Sequence, residues 1–162
     1  DDDDVKEALA KHPRTSTELL LKLADSDHYY QVRVAIARRQ PMPHAVFAVL
    51  ANDSDSDVKE ALVKRSDLFS FSQSALEDLL RGMDLDELGK TIDSPGFPEW
   101  KLFELSDNCT PEDARRILRA PNASLRVLRR LGSNPESRPQ IKEHKLYKEM
   151  SWWMKLFFFG GS

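Results

Sequence analysis

Apolar residues recur along this chain in sets of three, at positions i, i+3 and i+4, and the sets themselves recur. Val5, Ala8 and Leu9 are followed by Val32, Ala35 and Ile36, and then by Val58, Ala61 and Leu62, the leading valines lying 27 and 26 residues apart. Such a set is the buried stripe of an amphipathic helix. The three stripes sit in nearly the same words: DVKEALAKHP, QVRVAIARRQ and DVKEALVKRS. Asp4 and Asp57 precede two of the runs, where a short carboxylate caps free backbone N–H groups. Pro13 and Pro41 follow two of them, where a helix must stop.

A second motif follows each first one. Aligned on Leu23, Leu50, Leu80, Leu105 and Leu131, its copies are spaced by 27, 30, 25 and 26 residues. Leu or Val stands three and four positions before that leucine in most copies, which gives one helical face again. Ala24, Ala51, Ser106 and Gly132 follow the leucine, small residues that let a neighbouring element come close. Asp, Asn or Ser then supplies turn chemistry.

First and second motifs together predict a helical hairpin of about 25–30 residues whose stripe cannot be hidden by itself. Stacking such hairpins buries the stripes in one continuous core. The expected fold is therefore all-α, a solenoid of about five degenerate two-helix units. One helical domain is expected over residues 1–150, beginning just before the first helix of a unit as a piece of a longer array would. An apolar aromatic tail follows over 151–162. Two irregular places are expected: FSFSQS (69–74) as an extended connection, and LDELGKTIDSPGFPEW, where Gly89 and two prolines interrupt the pattern.

The stretches VRVAIARRQP (32–41) and ELLLKLADSD (18–27) resemble the units of the leucine-rich repeat variant family, a relative in shape of HEAT-like repeats. The resemblance spans about residues 4–135 and is closest up to residue 65. It implies α-helices alternating with shorter, often 3₁₀, helices in a superhelix, a form used by many interaction scaffolds. A family member carries an N-terminal iron–sulfur module. With Cys109 as the one cysteine, that module has no counterpart here.

Composition narrows the setting. At 162 residues, 40% hydrophobic and 31% charged, the chain has the balance of a folded helical protein. A lone cysteine permits no internal disulfide, which suits a reducing compartment, and a cytoplasmic location is expected. The acidic opening DDDDVKEA lacks the features of a signal peptide, and no apolar run is long enough to span a bilayer. The net charge of −3 hides a polarity. Residues 1–108 hold 13 Lys and Arg against 22 Asp and Glu, whereas residues 109–162 hold 11 against 5.

Catalytic chemistry is not indicated. His12, His28, His44 and His144 show no metal-ligand spacing, there is no phosphate loop, and the turn aspartates read as caps. No cofactor and no small-molecule substrate is expected. Cys109 has two readings, a thiol activated by the start of the next helix or a partly buried structural cysteine.

The basic residues point to a partner. Lys11, Arg38 and Lys64 fall in one column of the aligned units, and His12, Arg39 and Arg65 in the next. Stacking would line them up as a ridge for an acidic protein segment or a phosphate backbone. Cations in a last helical turn also complement the helix dipole, and that alone explains the ordering. A second cluster is all arginine: Arg115, Arg116, Arg119, Arg126, Arg129 and Arg130, a residue whose planar fork suits phosphate and carboxylate. The tail SWWMKLFFFGGS places Trp152, Trp153 and Phe157 where they could cap the last unit, anchor another protein or sit at a membrane surface. The function expected is that of a non-enzymatic protein-interaction scaffold. The alternatives are nucleic-acid backbone binding through the arginines and peripheral membrane attachment through the tail.

Overall fold

The computed structural model describes residues 2–26, 29–107, 109–150 and 155, and among these the regular elements are helical, with no strand. The all-α class expected from the apolar period is what is seen. Two compact units are present, Asp1–Gly82 and Met83–Ser162, where the sequence reads as one helical domain.

The first unit holds α1 (Asp2–Lys11), α2 (Thr17–Ser26), α3 (Tyr30–Ala37), α4 (His44–Leu50), α5 (Ser56–Val63), a 3₁₀ turn at Leu68–Ser70 and α6 (Gln73–Leu80). Helix α1 packs on α3 and α3 on α5, while α2 packs on α4. First-motif helices thus form one row and second-motif helices another. Val32, Ile36, Val58 and Leu62 are fully buried between the rows, with Phe47 and Leu50 from α4. The Phe47 ring stacks on Phe71 at 3.9 Å between centroids.

Three local expectations need correction. The cap of α5 is Asp55, whose carboxylate accepts from the backbone N–H groups of Asp57 and Val58 at 2.9 and 3.3 Å. Asp57 is already helical, and Asp4 lies within the first turn of α1, where its charge still complements the dipole. Val5, Ala8 and Leu9 are exposed, not buried; α3 and α5 each have a first-motif helix packed before them, and α1 packs chiefly on α3 and α2.

The second unit runs through α7 (Leu85–Leu88), a 3₁₀ turn (Gly89–Asp93), α8 (Glu99–Leu105), α9 (Pro111–Arg119), α10 (Leu125–Gly132), a 3₁₀ turn (Pro135–Ser137), α11 (Arg138–Glu143) and α12 (Lys145–Glu149). The expected irregularity at Gly89 is real. Helix α7 is one turn long and ends where Gly89 adopts φ +53°, a conformation that a residue without Cβ reaches freely. Capping boxes at Asp84 and Thr110 start α7 and α9. The core collects Leu88, Phe97, Leu102, Ile117, Val127, Leu131 and Ile141. The small residues after the motif leucines, Ala24, Ala51, Ser106 and Gly132, are all buried, as close approach requires. Among the described residues no helix is long and apolar enough to cross a membrane.

Candidate functional site

The row α1, α3, α5 leaves an open groove of about 770 Å³ on the first unit. Its wall on α3 is the stripe Gln31, Val34, Ala35 and Arg38, a set that shares one helical face. Glu7 and Lys11 line it from α1, and Asp57, Glu60, Ala61 and Lys64 from α5 and its end. The column Lys11, Arg38, Lys64 therefore lines the groove, and so do Arg39 and Arg65 of the next column.

Its three members are not equivalent. Lys11 is paired with Glu7, one turn earlier, at 2.5 Å. Lys64 is paired in the same way with Glu60. One turn before Arg38 stands Val34, and among the described residues no hydrogen bond engages the exposed Arg38 guanidinium. The Lys64 hydrogen bond and charge hold the Glu60 carboxyl below the usual range, and Arg38 adds a weaker attraction. Gln31, one more residue on that stripe, has an amide oxygen shielded from solvent that accepts no hydrogen bond.

The neighbouring column does different work. Arg39 donates to the carbonyl oxygens of Ala10, His12 and Pro13 at 3.0, 2.7 and 2.9 Å. Arg65 donates to those of Ala37 and Arg39, both at 2.7 Å, and to Asp67 at 2.8 Å, with only 2% of its side chain exposed. Each guanidinium thus satisfies the unpaired carbonyls that end the previous first-motif helix. Both arginines follow the end of α3 and line the groove; the Arg39 guanidinium is committed to the three carbonyls, and that of Arg38 is not.

The six arginines of the second unit are likewise divided. Arg115 pairs with Glu112 at 2.9 Å, and Arg116 bonds Asp86 at 2.8 Å and the Leu85 carbonyl. Arg126 lies over the Phe103 ring at 4.5 Å, and Arg130 lies over it at 5.5 Å while bonding Asp107. That bond depresses the Asp107 pKa and raises that of Arg130. Arg119 and Arg129 are exposed. The cluster, continuous in sequence, is spread over separate local partnerships.

A second hollow, of about 310 Å³, carries five carboxylates beside Cys109: Asp84, Asp86, Glu104, Asp107 and Asp113. Each is engaged within the chain. Asp84 and Asp113 cap helices, and Asp86, Glu104 and Asp107 hold Arg116, Lys101 and Arg130. The described residues contain no His, Cys, Asp and Glu group able to hold a metal ion. Burial pushes the Cys109 thiol up, against thiolate formation at the helix start. This matches the structural reading of that cysteine. Trp152, Trp153 and Phe157, like His28, lie outside the described residues.

No family model, curated protein or solved structure matches the chain significantly. The site is therefore read from its own geometry. Sequence columns found Arg38, Lys11 and Lys64, and the apolar stripe found Ala35, but neither found Gln31 and Val34. The signal for these two was their spacing, seven and four residues before Arg38, on one helical side.

Proposed function

We propose that the chain is a non-enzymatic protein-interaction scaffold, a helical-repeat solenoid of the leucine-rich repeat variant or HEAT-like kind, whose groove on the first unit takes an extended acidic segment of another protein. The observation that carries this reading is Arg38: an exposed guanidinium on the groove that bonds no carboxylate among the described residues, where Lys11 and Lys64 are held by Glu7 and Glu60. A partner carboxylate would form the charge-assisted, two-point bond that guanidinium favours, while Val34, Ala35 and Ala61 offer small apolar contacts for an extended backbone. The solenoid reading is supported by the rows α1–α3–α5 and α2–α4 and by bonds that link residues 25–29 apart, the same separation as the motif spacing.

Fluorescence anisotropy tests this with a short labelled peptide of alternating Glu and Thr, its Gln and Thr counterpart, and a labelled DNA duplex. The Glu peptide binds, Arg38→Ala weakens it by about tenfold or more, and the Gln peptide does not bind. Steeply salt-dependent binding of the duplex, indifferent to Arg38, would replace this reading with phosphate-backbone recognition.

A further inference from the structure

The groove of the first unit has two chemically different edges. When the units are aligned on Val32 and Val58, Gln31 and Asp57 share one column, and seven residues later Arg38 and Lys64 share another. All four line the groove. Helices α3 and α5, which pack on each other, thus begin at an edge of acceptors and end at an edge of cations.

Which of these groups is free decides what the groove can take. At the cationic edge Lys64 is held by Glu60, whereas the Arg38 guanidinium is open. At the opposite edge Asp57 is exposed; its backbone N–H serves the Asp55 cap, and no ion pair or hydrogen bond among the described residues engages its carboxylate. In the same column the Gln31 amide oxygen accepts no hydrogen bond. Tyr30, the first residue of α3, lines this edge too and is 37% exposed. A carboxylate, an amide oxygen and an aromatic ring are groups that together receive a Lys or Arg side chain.

We propose that the segment bound in the groove is bipolar, with a carboxylate on Arg38 and, at the other edge, a Lys or Arg side chain received by Asp57, Gln31 and Tyr30. This rests on the reading of the groove as a peptide site. Gln31 and Arg38 are seven residues apart, about 10 Å along a helix axis, and an extended chain covers that distance in about three residues. The acid and the base of the segment are therefore two or four residues apart, the spacings that put both on one side of an extended chain. A uniformly acidic segment would set its second carboxylate against Asp57.

Fluorescence anisotropy at low salt, where exposed charges are least screened, compares two labelled peptides of equal length. One alternates Glu and Thr, and in the other the Glu residues of one half are replaced by Lys. The bipolar peptide binds the full chain about fivefold more tightly. Asp57→Asn removes most of that preference, Asp57→Lys turns it in favour of the Glu peptide, and Arg38→Ala weakens both peptides, each variant being checked for unchanged circular dichroism. Equal or weaker binding of the bipolar peptide, or a preference that survives Asp57→Asn, would overturn the bipolar segment and leave the groove reading standing. Binding of neither peptide, or binding indifferent to Arg38, would overturn both.

Discussion

The two units tie successive helical pairs together at nearly the same sequence separation but with different side chains. In the first, guanidinium groups reach back: Arg39 to residues 26–29 positions earlier and Arg65 to carbonyls 26 and 28 positions earlier. In the second, neutral amides do so beside one guanidinium, Arg116, which bonds the Leu85 carbonyl 31 positions earlier. Asn122 donates to the Pro95 and Phe97 carbonyls at 2.6 and 2.8 Å, 27 and 25 positions earlier, and Asn134 donates to that of Cys109 at 3.1 Å, 25 positions earlier. The common requirement is that the carbonyls ending one helical element must find donors. A buried guanidinium meets it with several bonds and carries a charge that must stay fully paired; an amide meets it with fewer and carries none.

The contrast can be broken first at Arg65. Arg65→Ala leaves two carbonyls and Asp67 without their donor and should cost about 3 kcal/mol or more in urea unfolding, the loss falling on the first unit. Asn122→Ala removes two neutral bonds at an exposed residue and should cost about 1 kcal/mol, confined to the second unit. Equal losses from the two substitutions would mean that charge and burial do not distinguish the ties.

A smaller effect separates the units by pH. His144 is half-buried, and its Nδ1 accepts the Leu146 N–H at 3.2 Å to cap α12. Burial lowers its pKa from the ordinary 6.5, so the unfolded chain binds the proton more readily than the folded one. Stability of the second unit is thus complete above pH 6.5 and declines as the pH falls through and below that value. His144→Asn keeps an acceptor without a titrating ring, and the melting temperature of that variant should lose most of this slope between pH 7 and 5. The first unit's transition should not respond to the substitution.

Much of this organisation was written in apolar spacing. The stripes at Val32 and Val58, the leucine columns, the small residues behind them and the break at Gly89 all follow from local pattern. What was not legible depends on neighbours. Val5 and Leu9 carry the same stripe as Ile36 and Leu62, yet a stripe is buried only when another helix covers it. Arg38 and Arg39 look like one basic patch in the sequence. Both line the groove, and only Arg39 is a backbone clamp, because the end of the preceding helix places the Ala10, His12 and Pro13 carbonyls under Arg39 and not under Arg38. The arginines of α9 and α10 dissolve into separate pairs for the same reason, because Asp86, Asp107 and Phe103 reach them from distant positions.

Two adjacent arginines serve different ends, and paired measurements on Arg38→Ala and Arg39→Ala separate them. Arg38→Ala should leave the urea midpoint within about 0.5 kcal/mol of the parent and weaken the Glu and Thr peptide by about tenfold or more. Arg39→Ala should lower stability by about 1–2 kcal/mol and leave peptide affinity nearly unchanged in the folded fraction. If Arg38→Ala binds the peptide as the parent does, or if the stability loss belongs to Arg38, the division of roles is contradicted.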